Sequence, residues 1–295
     1  MQVVTTINEL REARKSLKGR VGLVPTMGYL HKGHLSLVQA AKEDCTSVIA
    51  TIFVNPTQFA ANEDLSSYPR DLPRDLAFLR DAGVNIVFTP TPDIIYPSGY
   101  QTYIDVEKVS QGRESASRPT HFRGVATVVA KLFNMAQADR AYFGQKDAQQ
   151  VVVIRQMARD LNFPIEVHVC PIVRESDKLA MSSRNVYLTP EERAIAPILN
   201  QALRATGDLY GSGERNPHTL RQKALEVLAT QPLAQTDYVS VALAKNLQEI
   251  DTPSNEALLL SLAVKIGKPR LLDNCILPLG LNTRKGATAV LGIEG

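Results

Sequence analysis

The chain has 295 residues, 44% of them hydrophobic and 21% charged, which describes a globular protein of about two domains and excludes a disordered or fibrous one. Lys and Arg total 33 against 30 Asp and Glu, a formal charge of +3, too small to indicate a nucleic-acid partner by bulk charge but compatible with small anionic substrates. Cys45, Cys170 and Cys275 form no C-x-x-C pair, which disfavours a disulfide framework or a structural zinc and favours a reducing compartment; with Glu9, Arg11 and Arg14 close to the start and 257–264 as the longest apolar run, the expectation is a cytoplasmic protein without leader or membrane span.

In chain order, residues 3–5 read as a short strand, and Thr6-Ile7-Asn8-Glu9 reads as a capping box opening a helix to about Leu17. Residues 21–25 suit a buried parallel strand. A glycine-punctuated turn follows, then a helix over 34–43 with Leu35 and Val38 inward. The β-branched run 47–54 is the clearest strand, and a polar loop covers 55–70. Leu72, Leu76 and Leu79 recur at helical spacing over 72–82 and should face a core, with Gly83 as the stop. A strand at 84–89, a loop-rich stretch at 90–123, a helix over 124–136, a strand at 140–143, a helix over 148–161 and a strand at 165–169 complete this half.

The alternation predicts an α/β fold, a Rossmann-like doubly wound parallel sheet, with ligands at the carboxyl ends of its strands. After Arg174 the pattern changes. Thr189-Pro190-Glu191-Glu192 starts a helix expected to run to about Tyr210, and a second helix covers 217–230. Strand-like runs at 236–242, 257–264 and 270–275 close the chain. The expected organisation is a catalytic domain over 1–180 and a second, smaller α+β C-terminal domain over 181–295.

Four segments carry candidate chemistry. In Pro25-Thr26-Met27-Gly28-Tyr29-Leu30-His31-Lys32-Gly33-His34 a glycine-containing turn feeds a helix N-terminus, where free amides and the dipole favour an anion. His31 and His34, one helical turn apart, could both donate to a phosphate and balance charge in phosphoryl or nucleotidyl transfer. Asn55-Pro56-Thr57-Gln58 offers neutral amides for hydroxyls and a carboxylate. Gly144-Gln145-Lys146-Asp147 brings backbone and a cation to another strand end. Met181-Ser182-Ser183-Arg184 supplies hydroxyls and a guanidinium for phosphate oxygens. Zinc motifs, G-x-G-x-x-G and the P-loop are absent.

Together these segments carry a resemblance. His31-Lys32-Gly33-His34 resembles the H-x-G-H signature of nucleotidylyltransferases, and 181–184 occupies the place of their KMSKS-like loop. In chain order, 25–28, 53–59, His121-Phe122-Arg123-Gly124-Val125, 143–147 and 181–185 are similar to the pantoate–β-alanine ligase family. The resemblance implies ATP-dependent ligation of pantoate and β-alanine to pantothenate, through pantoyl adenylate with release of pyrophosphate and AMP. It implies His31, His34, Lys146, Ser182, Ser183 and Arg184 as catalytic. Pro25, Thr26, Met27, His34, Gly144, Lys146, Asp147, Val173, Met181 and 182–184 would contact ATP, and Met27, Asn55, Gln58 and Gln150 would contact pantoate. Mg²⁺ would ride on the ATP phosphates with Asp75 near it, and Arg118 and His121 would lie toward β-alanine. Related loops of the superfamily often carry a lysine where this chain has Ser182-Ser183-Arg184, and Lys178 stands four residues before Ser182. The resemblance also implies a homodimer and a lid role for the second domain. A nucleotidylyltransferase acting on a phosphorylated acceptor, a tRNA synthetase and a catalytically silent nucleotide-binding regulator are the competing readings.

Overall fold

The computed structural model describes residues 1–60 and 65–292. The chain divides into two compact units, Met1–Phe143 with Val153–Cys170, and Gly144–Val152 with Pro171–Gly295. The division thus falls ten residues before the expected 180/181 boundary and assigns the 144–152 segment to the second unit.

The first unit contains β1 (Gln2–Val4), α1 (Ile7–Lys15), β2 (Val21–Thr26), α2 (Lys32–Asp44), β3 (Ser47–Ile52), α3 (Leu72–Asp81), β4 (Ile86–Phe88), α4 (Pro92–Ile95), α5 (Glu114–Ser117), α6 (His121–Ala136), β5 (Arg140–Gly144, its last residue in the second unit), the later part of α7 (Ala148–Asp160) and β6 (Glu166–Cys170). The six strands form one sheet in the order β1-β4-β3-β2-β5-β6, and β1–β4, β4–β3, β3–β2 and β2–β5 pair in parallel. This is the doubly wound sheet expected. Strand order reverses between β2 and β5, and the carboxyl ends of two such strands are where sheets of this kind generally take their ligands. Pro25 is tolerated inside β2 because the pairing with β5 covers only Gly22 and Leu23. Between sheet and helices, Val24, Leu30, Val38, Ala41, Val48, Leu79, Val87 and Tyr142 form one buried cluster.

The second unit contains α8 (Pro190–Ile195), α9 (Ile198–Gly211), α10 (Pro217–Leu228), β7 (Ala234–Leu243), β8 (Leu258–Ile266), β9 (Arg270–Leu277) and α11 (Arg284–Val290). Its sheet is antiparallel in the order β7-β8-β9. Leu199, Leu203, Leu220, Leu258, Leu260, Leu262 and Leu277 are buried in its core.

Several expectations need correction. The helix expected over 189–210 is two helices, because Pro197 has no N–H to continue the ladder and stands at the N-cap of α9. Leu72 is 42% exposed, and the buried positions of α3 are Asp75 and Leu79. The leucine spacing therefore described only part of the inward face, since a carboxylate occupies the position one turn before Leu79. Leu35 is half-buried, whereas Leu37 and Val38 face the core. The stretch 90–123 contains the single-turn helices α4 and α5, and α6 starts at His121 rather than Gly124. All three cysteines are free and buried.

Candidate active site

In the first unit, the turn between β2 and α2 is built by reciprocal caps. Thr26 donates its hydroxyl to the Thr51 carbonyl at 2.7 Å and accepts from the Gly28 amide at 3.2 Å. Gly28 has φ +83°, and Tyr29 follows at φ 50°, so the chain reverses through two left-handed residues. Asp75 holds that reversal from α3. Its Oδ2 accepts the Tyr29 amide at 2.6 Å and its Oδ1 accepts the Leu30 amide at 2.7 Å. Burial raises the Asp75 pKa, opposed by those two amides and by the neighbouring Arg74. Arg74 also donates to the Leu30 carbonyl at 3.1 Å and lies over the Tyr29 ring.

His31 caps α2. Its Nδ1 accepts the Gly33 amide at 3.1 Å, and His34 Nδ1 accepts the His31 amide at 3.2 Å. The ring centroids are 4.0 Å apart. Because each Nδ1 is an acceptor, each neutral ring carries its proton on Nε2. The two histidines thus hold matching tautomers, with Nε2–H donors at a helix N-terminus where an anion is favoured.

A second group in this unit centres on Gln58. The turn Pro56–Gln58 is capped by Asn55, whose amide nitrogen donates to Gln58 Oε1 at 3.0 Å and to the Gly124 carbonyl at 3.1 Å. Asn55 Oδ1 accepts from the Thr57 hydroxyl at 3.0 Å and from Tyr96 at 2.8 Å. Burial pushes the Tyr96 phenol up to about 12, so it remains a donor. Gln58 Nε2 lies 3.2 Å from Met27 Sδ. The Gln58 carbonyl accepts from His121 Nδ1 at 3.0 Å and from Arg118 at 3.2 Å. Arg118 Nη1 lies 3.3 Å from His121 Nε2, so the ring is neutral, with its proton on Nδ1. Gly124 lets α6 approach this turn: a Cβ there would stand 2.5 Å from the Thr57 carbonyl oxygen and 2.7 Å from the Gln58 nitrogen. Arg118 and His121 therefore grip the turn that carries Gln58. Both ends of the Asn55 amide are engaged within this group.

In the second unit, Lys146 is partly buried and its Nζ is 3.2 Å from Asp147 Oδ1. Gly144 has open space around its Cα, and Gln150 is half-buried in the first turn of α7. Further along, the Met181 amide donates to the Val173 carbonyl at 3.0 Å, and Arg174 pairs with Ala180 in an antiparallel bridge. This hairpin turns at Lys178, whose φ is 78°. The Lys178 carbonyl accepts from Arg174 at 3.2 Å, and its side chain is exposed. Ser182 caps the short helix Ser183–Tyr187 by accepting the Arg184 amide at 3.3 Å, and Ser183 is buried.

Sequence reasoning missed Tyr96, Arg74 and the Arg174–Asp273 ion pair, whose contacts are at 2.6 and 2.9 Å. Each lies in a stretch without a motif; their signal is the fold that brings them to a motif residue. Among the described residues no group of three or more His, Cys, Asp or Glu side chains could hold a metal ion. No helix among those residues is long and apolar enough to cross a membrane.

Comparison with known proteins adds to this geometry. The family described as Pantoate-beta-alanine ligase matches residues 2–276. The chain is 59% identical over 277 residues to a protein named pantothenate synthetase from Roseiflexus sp. (strain RS-1), covering 94% of this chain and 99% of that protein. It is 57% identical to the protein of that name from Herpetosiphon aurantiacus, covering 94% and 100%. Among solved structures, pantothenate synthetase from Thermus thermophilus superposes with a TM-score of 0.87 at 45% identity, covering 93% of this chain and 98% of that one. A pantoate–β-alanine ligase from Francisella tularensis, complexed with β-γ ATP and β-alanine, gives a TM-score of 0.75 at 34% identity, with 93% and 97% covered.

Proposed function

The chain belongs to the pantoate–β-alanine ligase family, an enzyme family joining pantoate to β-alanine, and we propose that it does so through an enzyme-bound pantoyl adenylate. A carboxylate is a poor electrophile. In the first step a pantoate carboxylate oxygen attacks the α-phosphorus of MgATP, and pyrophosphate leaves. In the second the β-alanine amine attacks the acyl carbon, the C–O bond to AMP breaks, and the amine proton is released with pantothenate.

The protein needs no nucleophile of its own for either step. It needs donors where charge grows on the α-phosphate and on the departing pyrophosphate. The observation that carries this reading is the paired capping of His31 and His34, which presets two Nε2–H donors at the α2 N-terminus. Lys146, Ser182, Ser183 and Arg184 add a cation, two hydroxyls and a guanidinium, and Pro25, Thr26, Gly144, Asp147, Val173 and Met181 contact the nucleotide. Gln58, with Met27 beside it, and Gln150 recognise the pantoate hydroxyls and carboxylate. The Gln58 side chain itself meets a neutral amide and a thioether, while Arg118 is spent on the Gln58 backbone carbonyl, which favours a hydroxy acid over a phosphorylated acceptor.

Mg²⁺ enters as part of the MgATP substrate, with the phosphates and water as its main ligands. Asp75, which accepts two backbone amides, serves the turn before His31. A lid role for the second unit is part of this reading, since a reactive acyl adenylate needs water excluded. The three buried free cysteines suit a reducing cytoplasm. Membership of the family and the general frequency of two-fold assemblies support a homodimer.

The testing experiment measures pyrophosphate release from ATP, Mg²⁺ and pantoate with no β-alanine present. Release under those conditions is expected. Products of ADP and phosphate would replace the adenylate with an acyl phosphate.

A further inference from the structure

Lys146 stands next to a buried amide cluster that the reaction chemistry does not use. The cluster is centred on β9, an edge strand of the antiparallel sheet. That strand is largely apolar, with Leu271 and Leu272 before and Cys275, Ile276 and Leu277 after the pair Asp273-Asn274, yet both members of the pair are buried. Asn274 Nδ2 donates to two successive carbonyls, those of Gln145 and Lys146, each at 2.9 Å. In return Gln145 Nε2 donates to Asn274 Oδ1 at 3.1 Å and to Asn282 Oδ1 at 2.7 Å. Asn282 is fixed by the Ile276 amide at 2.8 Å and by the Ile276 carbonyl at 2.7 Å. Gln145 Oε1 is buried and accepts no hydrogen bond among the described residues. A buried network that leaves an acceptor unmet is poor design for stability alone, and apolar side chains would fill an edge strand more simply. The neighbouring Asp273 takes a two-pronged ion pair from Arg174, which begins the hairpin leading to Met181 and Ser182.

We propose that Asn274 is a positioning residue for adenylate formation. Its amide fixes the peptide planes on both sides of the Lys146 Cα, so that the ammonium is aimed before ATP binds. Asp273, the preceding residue, fixes the hairpin that carries the Ser182 and Arg184 groups. Two consecutive residues of one strand thereby set the spacing between the lysine and the hydroxyl-guanidinium loop. The proposal rests on the reading of Lys146 as the cation for the phosphates.

The mechanism predicts coupling between Asn274 and Lys146. A lysine that is already aimed contributes mostly in the transition state, so misaiming it slows chemistry more than it weakens ATP binding. Single-turnover pyrophosphate release from MgATP and pantoate is measured for the intact protein, Asn274→Ala, Lys146→Ala and the double variant. Asn274→Ala should slow release by about tenfold to a hundredfold, with ATP affinity changed less than about threefold. The double variant should be no more than about twofold slower than Lys146→Ala, because two residues acting through one group are not additive. Attack of β-alanine on supplied pantoyl adenylate should slow less than pyrophosphate release does in Asn274→Ala, because the pyrophosphate has already left.

An unchanged rate for Asn274→Ala overturns the proposal, as does a slowing that multiplies fully with that of Lys146→Ala. Asn274→Ser, which retains one short donor, should recover part of the rate and serves if the alanine variant fails to fold. If neither folds, Asn274 is a structural residue and the proposal is wrong. The underlying reading fails separately: Lys146→Ala would then release pyrophosphate at the intact rate, whatever Asn274→Ala does.

Discussion

Replacing Gly124 by alanine tests whether the Gln58 turn is held by close approach of helix α6. An added Cβ would meet the Thr57 carbonyl oxygen at 2.5 Å, its carbon at 2.6 Å and the Gln58 nitrogen at 2.7 Å. All three are backbone atoms, so no side chain can rotate away, and the turn or the helix must retreat by about 1 Å, an overpacking strain of typically 1–3 kcal/mol. The same retreat stretches the bonds from Asn55 to the Gly124 carbonyl and from His121 to the Gln58 carbonyl. Each buried group left unpaired adds about 1–3 kcal/mol. With one such group left unpaired, a total of about 2–6 kcal/mol is expected, which lowers the melting temperature by roughly 4–24 °C at about 2–4 °C per kcal/mol for a domain of 150–250 residues. Part of that energy falls on Gln58 itself, so pantoate affinity should drop by about tenfold or more, at 1.4 kcal/mol per decade. Calorimetric titration of pantoate and a thermal melt read both quantities. Gly211→Ala is the matched control, because nothing lies within 4 Å of its added Cβ. The reasoning is refuted if Gly124→Ala melts and binds pantoate as the intact protein does.

Three further outcomes follow from the geometry. Gln58→Ala should weaken pantoate binding by about 1–3 kcal/mol while ATP affinity holds, and equal losses for both ligands in a titration would instead indicate general damage. Asp75→Ala leaves the Tyr29 and Leu30 amides unpaired beside two left-handed residues; it should cost about 2–4 kcal/mol in denaturant unfolding, and a loss below about 1 kcal/mol would show that the turn holds itself. Light scattering at micromolar concentration should give a dimer mass, and a monomer would remove the dimer from the account.

Motifs at strand ends were readable because parallel sheets place loops there: the segments at 25–34 and 144–147 follow β2 and β5 as their patterns required. What escaped was long-range. His31 is not a usual cap residue, so α2 was expected to begin at His34, although the histidine side chain caps it as a serine would. Gly124 suggested a helix start, and its true role is contact with a turn more than sixty residues earlier. The buried Asp75 carboxylate accepts backbone amides from the loop before α2, a contact that nothing in its own segment signals. The hold of Arg118 and His121 on the Gln58 carbonyl likewise has no signal in their own segment. Such roles depend on which backbone group another element delivers, and no spacing along one segment encodes that. Pro197 is the exception, a local signal that the expected 189–210 helix overlooked.

The central claim is that a pantoate oxygen becomes bonded to the α-phosphorus of ATP. Pantoate labelled with heavy oxygen in its carboxylate tests this in one turnover with β-alanine, read by mass spectrometry of the nucleotide product. The account predicts AMP carrying one heavy oxygen and unlabelled pyrophosphate. Label found in inorganic phosphate, or AMP without label, would contradict it.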